Sequence, residues 1–478
     1  MSERLCDLPA VTLRRLIGSK AISPRELWAD CEARIDAVNP AVNAVVARDG
    51  RMAEAAAAAE AAVLRGDSLG PLHGLPLGIK DLTETEGLVT TFGSPLYADY
   101  VPKADEPLTG ELRAAGALIA AKTNTPEFGA GANTTNRVYG ATGNPFDPAR
   151  TCAGSSGGSA VALALSMLPL CTGSDLGGSL RTPASYCGVV GLRPTPGLVP
   201  RPKSLKIFQP LSVEGPMARS VADLRLLLEA MAGHEAHDPL SRPRPACSFW
   251  APPADLASLK VAVSEDLGVA PVSAEVRGLF RGRVERFRGL FGACDEADPP
   301  LADAHWVFET LRALGFLAAF RGLYERNPDD LGPNVRANTA LGLERSAADV
   351  ADAMVGQAKL YRAFQSFLED RDLLICPVAT VQPFDKTKLY PETIDGQAMP
   401  TYITWISITY ALTLTGCPVL ALPCGLDAKG LPFGLQIVGK PWREAELLAA
   451  GEALEAAFAG LPDCGRPLPD LEALAAAG

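Results

Sequence analysis

From Gly70 onward the chain breaks into short apolar runs bounded by glycine and proline and separated by segments of helical pattern, an alternation that restricts it to an α/β core. The runs at 75–79, 117–121, 259–263, 373–376, 419–422 and 434–438 are nearly free of charge, which suits strands buried on both faces. Helical patterns fall at 108–115, 159–167, 221–232 and 444–458, the third with Ser220 as cap and Gly233 as stop. The first 65 or so residues read as helices: Ser23-Pro24-Arg25-Glu26 is a capping box with proline at the first helical position, and an Ala-rich helix follows over 51–64. Between about His234 and Asp372 the chain is Pro-rich and then mainly helical, with Trp306, Phe308, Phe316, Phe320, Tyr324 and Phe364, and reads as a cover over the core.

Composition narrows the classes of function. Apolar residues make up 47% and charged residues 21%, enough apolar surface for a substantial core in 478 residues. Acidic residues outnumber basic ones, 55 to 44, and the net charge of −11, with no basic run to offset it, argues against nucleic acid and anionic lipid as partners. The start of the chain lacks a basic and then apolar leader, and the longest apolar stretches are too short or too interrupted to span a bilayer, so a soluble cytoplasmic protein is expected. The eleven cysteines form no Cys-x-x-Cys pair and read as scattered small hydrophobes, with no metal site expected.

The strongest signal is a pair of Gly/Ser loops flanking one apolar segment. Ala153-Gly154-Ser155-Ser156-Gly157-Gly158-Ser159-Ala160 leads into the apolar run 161–165, and Gly173-Ser174-Asp175-Leu176-Gly177-Gly178-Ser179-Leu180-Arg181-Thr182-Pro183 follows. Alone, the first loop reads as a flexible connection or a phosphate-binding turn. In the second, Gly177 and Gly178 allow several backbone N–H groups to converge next to Ser179, a candidate oxyanion hole. A serine there needs a proton acceptor. The four histidines, His73, His234, His237 and His305, have no partner motif; His73 reads as structural and the His234/His237 pair as solvated loop, which disfavours a Ser-His-Asp triad. A neutral lysine is the other base open to a serine. Gly78-Ile79-Lys80-Asp81 places one at the end of a strand, where desolvation lowers its pKa towards neutrality, although a lysine at a strand end is more often a surface residue.

With these loops the sequence resembles the amidase signature family. Residues 153–184 match its defining pattern almost throughout, with Ser155 and Ser179 24 positions apart. Pro71-Leu72-His73-Gly74-Leu75-Pro76-Leu77-Gly78-Ile79-Lys80-Asp81 is similar to its lysine segment, and Cys187-Gly188-Val189-Val190-Gly191-Leu192-Arg193-Pro194 to its following strand. Glu214-Gly215-Pro216-Met217-Ala218-Arg219 and Gly434-Leu435-Gln436-Ile437-Val438-Gly439 also fit, so the resemblance covers roughly 20–235 and 370–460. It implies Ser179 as nucleophile, Ser155 as bridging serine after a cis peptide bond, and Lys80 as terminal base. The implied oxyanion hole is formed by the N–H groups of Leu176, Gly177, Gly178 and Ser179. Asp175 and Arg181 would brace the loop as an ion pair, and Ser156 would help hold Lys80.

The fold implied is an α/β/α sandwich around a large mixed, mostly parallel sheet, one domain over 1–478. Within it lie an N-terminal helical segment (1–66), a catalytic core (67–235), a variable helical cover (236–370) and the C-terminal part of the sheet (371–478). The implied reaction is hydrolysis of a small carboxamide or carbamate through an acyl-enzyme, with esterase side activity open and no cofactor required. A homodimer follows only by analogy with relatives. Candidate pocket residues are Gly129, Ala130 and Gly131 in the loop 128–136, Tyr186 just beyond the nucleophile, Phe208, Gln209 and the aromatics of 300–365; if the aromatics line the pocket, a hydrophobic or aryl substrate is favoured. Two rival readings are the glutaminase subunit of a tRNA-dependent amidotransferase, and a binding protein that has lost catalysis. Intact Lys80, Ser155 and Ser179 argue against the latter.

Overall fold

The computed structural model describes residues 4–243 and 249–477; Cys247 lies outside them. An 11-stranded sheet organises the molecule. Its strands are β1 (Val45–Arg48), β2 (Pro76–Lys80), β3 (Leu118–Thr123), β4 (Leu170–Asp175), β5 (Val190–Arg193), β6 (Val213–Ala218), β7 (Lys260–Val263), β8 (Ala293–Glu296), β9 (Leu373–Pro377), β10 (Val419–Leu426) and β11 (Pro432–Val438). Their spatial order is β1-β3-β2-β4-β6-β5-β10-β11-β9-β7-β8. The sheet is mixed, as expected. Parallel pairing is gathered in two blocks, β3-β2-β4 and β9-β7-β8. Antiparallel pairs run between them from β4 to β9, and β1 joins β3 antiparallel at one edge.

All six charge-poor runs form strands. Every residue of β2, β3, β9 and β11 is buried, the burial that such runs require. β5 matches the strand implied by the family resemblance. The sequence reading missed β1, β4, β6 and β8. β4 (Leu-Cys-Thr-Gly-Ser-Asp) carries polar side chains at buried positions, and β6 contains Glu214, Gly215 and Pro216. Pro216 is tolerated because β5 pairs with β6 only at Val190↔Ala218 and Gly191↔Met217, leaving the proline beyond that ladder.

Helices α1 (Ala10–Gly18), α2 (Pro24–Val42) and α3 (Met52–Arg65) open the chain, with the capping box formed at Ser23 and Glu26. Next come α4 (Pro107–Ala114), α5 (Gly157–Ala164), α6 (Arg181–Cys187) and α7 (Val221–Met231), the last capped by Ser220 as predicted. The segment 236–370 supplies β7 and β8 to the sheet as well as helices α8 (Ala274–Phe287), α9 (Ala304–Arg326), α10 (Pro333–Glu344) and α11 (Ala347–Phe367). α12 (Ser407–Thr413), α13 (Glu444–Gly460) and α14 (Leu471–Ala477) complete the fold. No helix among the described residues is long and apolar enough to cross a membrane. α5 packs flush against the ends of β1 and β3 through Gly158, where a Cβ would lie 2.2 Å from the Asn124 nitrogen and 2.7 Å from the Ala44 oxygen.

One buried ion network ties the sheet to the helices around it. The Asp175 carboxylate, at the end of β4, accepts from Arg181 Nε (3.0 Å) and Nη2 (2.9 Å) and meets Arg193 Nη1 of β5 at 3.3 Å. Arg181 also donates to the Thr409 carbonyl (2.7 Å) and Thr413 Oγ1 (3.1 Å) of α12 and to Gln436 Oε1 (2.8 Å) of β11. Burial alone would raise the Asp175 pKa, but the charge and hydrogen bonds of Arg181, with Arg193 behind them, hold it well below the carboxylate range. The expected ion pair is thus present, and larger than expected. Asp175→Asn leaves two buried guanidinium groups uncompensated and is expected to cost about 3–5 kcal/mol of stability at neutral pH. Since the folded-state pKa lies below the unfolded value of about 3.9, this contribution is fully present above that value and is lost as pH falls through the folded pKa. Chemical denaturation of wild type and variant should give a stability gap that is widest above pH ~5 and narrows below pH ~4.

Candidate active site

Lys80 is the last residue of β2, and its side chain is 1% exposed. Nζ lies 2.7 Å from Ser155 Oγ, 2.8 Å from Ser156 Oγ and 3.0 Å from Ser174 Oγ. Burial lowers its pKa from the usual lysine value to about 7; Glu214 and Asp175 act to raise it and Arg201 to lower it, and burial wins. A neutral amine has two N–H donors and one lone pair, so one of three hydroxyl neighbours must donate to it. The Ser156 hydroxyl donates instead to the Ser174 carbonyl (3.3 Å). Ser155 and Ser174 remain able to give Nζ a proton.

The Gly154–Ser155 peptide bond is cis, as the resemblance implied. The two Gly/Ser loops are joined directly, the Ser156 N–H donating to the Ser179 carbonyl at 3.2 Å. Ser179 follows Gly178, whose φ of +123° is glycine territory and where a Cβ would lie 2.4 Å from Thr409 Oγ1. That hydroxyl donates to the Gly177 carbonyl at 2.6 Å, so α12 fixes the turn from behind. Of the four expected oxyanion donors, Gly178 must be withdrawn: its N–H donates to Asp175 Oδ1 at 3.0 Å, the buried carboxylate being the stronger acceptor. The N–H groups of Leu176, Gly177 and Ser179 donate to no acceptor among the described residues.

Ser155, Ser174, Gly177 and Ser179 open on one cavity of about 410 Å³. A larger cleft of about 1130 Å³ lies along α2 and α3, but none of the serines or Lys80 reaches it. Gly129 and Gly131 line the serine cavity as expected. The other four pocket candidates do not. Ala130 packs with Phe316, Leu331 and Val335, and Tyr186 is buried with its hydroxyl on the Val381 carbonyl (2.6 Å). Phe208 is 76% exposed, and Gln209 Nε2 is turned to the Leu311 carbonyl at 3.4 Å. Of the aromatics in 300–365, Phe316 and Phe320 reach the cavity, whereas Phe308 stacks on Tyr410 with centroids 4.2 Å apart. Phe320 meets Phe128 at 4.8 Å and Phe128 meets Phe92 at 6.3 Å, a continuous ring wall.

The sequence reading also missed Ser174, Glu214, Phe92, Tyr402 and the cations Arg201, Lys203, Lys206 and Arg312, all on this cavity. Arg312, Gly315, Phe316, Ala319 and Phe320 follow the i, i+3, i+4, i+7, i+8 rule of one helix face, a legible signal once α9 is known to face the site. None of the histidines lines the cavity: His73 Nε2 pairs with the Ala59 carbonyl (3.0 Å), the structural role expected.

Among known families, the Amidase model matches residues 26–448. An acylamidase of Rhodococcus erythropolis is 34% identical over 453 residues, covering 94% of this chain and 95% of that one. A glutamyl-tRNA(Gln) amidotransferase subunit from Moorella thermoacetica is also 34% identical, over 474 residues, with 94% and 96% covered. The solved structure of a bacterial aryl acylamidase, described as an amidase signature enzyme, superposes with a TM-score of 0.87 at 26% identity, covering 96% of this chain and 99% of that one. The chain therefore belongs to the amidase signature family, hydrolases of amide C–N bonds.

Proposed function

We propose that the protein is an amidase that cleaves hydrophobic or aryl carboxamides or carbamates, with Ser179 as nucleophile, Ser155 as proton relay and Lys80 as base. The observation that carries this reading is the buried Lys80 amine, its pKa lowered to about 7, at 2.7 Å from Ser155 Oγ on a cavity shared with Ser179. As Ser179 attacks the carbonyl, its proton passes to Ser155 while the Ser155 proton passes to neutral Lys80. The developing oxyanion is met by the N–H groups of Leu176, Gly177 and Ser179. The lysine then returns its proton through Ser155 to the departing amine, leaving a Ser179 acyl-enzyme that water, activated by the same groups, hydrolyses. Ser156 holds Nζ by its 2.8 Å contact, and Asp175 and Arg181 hold the loop that carries the nucleophile.

The ring wall of Phe92, Phe128, Phe316 and Phe320 supports an apolar or aryl substrate. The alternative, a glutaminase component of an amidotransferase, rests on the likeness to the Moorella protein, equal in identity to that with the acylamidase. A panel of anilides, aryl carbamates, esters and glutamine, assayed without a partner protein, separates the two: turnover of anilides or carbamates is expected, and turnover of glutamine alone overturns the aryl reading.

Lys80→Met and Ser179→Ala are each expected to lower kcat on the best panel substrate by about 10³-fold or more, with circular dichroism unchanged. Wild-type turnover in either variant would refute the assignment. Because the deprotonated amine is the active form, kcat/KM should rise with pH through about 7 and level off above it. Glu214 pairs with Ser174 across β6 and β4, and its charge holds the Lys80 pKa up. Glu214→Gln should therefore shift the acidic limb of the pH–rate profile to lower pH, and a shift to higher pH would contradict the role given to Lys80.

A further inference from the structure

The cavity that holds the serines also gathers basic side chains. The chain is net −11, yet Arg201, Lys203, Lys206 and Arg312 face this one cavity, against Glu106 and Glu214. Three of the four, Arg201, Lys203 and Lys206, stand within six residues of sequence, and folding brings Arg312 of α9 to them. Two of the cations are already neutralised: Arg201 pairs with Glu214 at 3.2 Å, and Lys203 with Glu84 at 2.5 Å. Lys206 and Arg312 have no carboxylate within ion-pair distance among the described residues. Arg312 is 6% exposed and its hydrogen-bond and ring partners are neutral; Glu309, whose charge also acts on it, is itself paired with Arg345 at 2.6 Å. Arg312 Nη1 donates to Asn338 Oδ1 and its Nη2 to the Tyr402 hydroxyl, while the rings of Phe316 and Tyr402 lie 4.5 Å and 5.0 Å from its Cζ.

Lys206 converges on the same point. A Cβ at Gly315 would lie 2.5 Å from Lys206 Nζ, so the absence of a side chain there lets the ammonium settle on α9 one turn from Arg312. Burial, with the nearby charges of Arg201 and Arg312, lowers the Lys206 pKa to about 8; burial lowers that of Arg312 to about 9. Both side chains stay largely protonated at neutral pH. A buried cation held by neutral acceptors and rings is costly until an anion joins it. Of the five N–H donors of Arg312, two are engaged, which leaves the guanidinium able to take a further acceptor. With Arg201 balanced by Glu214 and Lys203 by Glu84, the cavity is left with Lys206 and Arg312 against Glu106, a formal surplus of one positive charge that a single carboxylate balances and a dianion such as phosphate would exceed.

We infer that Lys206 and Arg312 form a carboxylate subsite, and that the preferred substrate is an amide bearing a carboxylate remote from the scissile bond, its apolar middle lying along the phenylalanine wall. This rests on the amidase reading above for its chemistry, and on the cavity alone for its binding.

The test compares two chromogenic anilides of equal chain length, glutaric acid mono-4-nitroanilide and neutral pentanoic acid 4-nitroanilide. In wild type the charged compound is expected to have a kcat/KM about tenfold or more above the neutral one, the scale of a charge-assisted contact. The ratio should fall towards one in Lys206→Gln, and in Arg312→Gln if that buried variant keeps its circular dichroism and melting temperature. Ser179-dependent hydrolysis of the neutral anilide with a wild-type ratio of one or below overturns the subsite and leaves the amidase reading standing. If neither anilide is turned over, calorimetric titration of both into the protein decides. Tighter binding of the charged compound that is lost in Lys206→Gln upholds the subsite while the hydrolytic reading fails; equal or unmeasurable binding overturns it.

Discussion

The Asp175 carboxylate is the interaction on which the site depends. It closes one strand, pairs with two arginines and takes the Gly178 and Leu180 N–H groups, so the loop bearing Ser179 is wound around a fixed negative charge. Arg181 in turn reaches α12 and β11, elements more than two hundred residues further along the chain. Such a network has no solvent to fall back on, and loss of the carboxylate would leave two buried cations stranded. The same carboxylate raises the Lys80 pKa against the effect of burial. Its position thus influences both the geometry of the nucleophile and the protonation of the base.

Much of the fold was legible because burial on both faces leaves a plain mark. The apolar runs that became β2, β3, β7, β9, β10 and β11 and the caps at Ser23 and Ser220 needed no tertiary information. The strands that escaped notice fall into two kinds. β1 and β8 stand at the two edges of the sheet. β4 and β6 are central but carry Thr172, Ser174, Asp175 and Glu214, polar side chains satisfied by Lys80 and the arginines. A strand that builds the site looks unlike a strand, because its residues are chosen for chemistry.

The site itself divides in the same way. Lys80, Ser155 and Ser179 were readable as local patterns, and the structure brings the first two to 2.7 Å. The pocket was not. Phe208 and Tyr186 are near the site in sequence or in the loop after it, yet one is thrown outward and the other is turned into the core. The residues not foreseen come from 92, 174, 201–206, 214, 312 and 402, whose meeting is a property of the sheet order and the position of α9. Gly178 illustrates a subtler gap: its flexibility was visible, but the direction of its N–H depends on where a buried carboxylate lies.

The separation of these parts along the chain has an evolutionary consequence. The lysine and the serine loops occupy 80–179, whereas one wall of the cavity is a single face of α9, spaced at 312, 315, 316, 319 and 320. Changes on that face can exchange ring, charge or empty space without disturbing a hydrogen bond between Lys80 and the serines. A lineage built this way can diversify its diet by editing one helix while inheriting its chemistry intact.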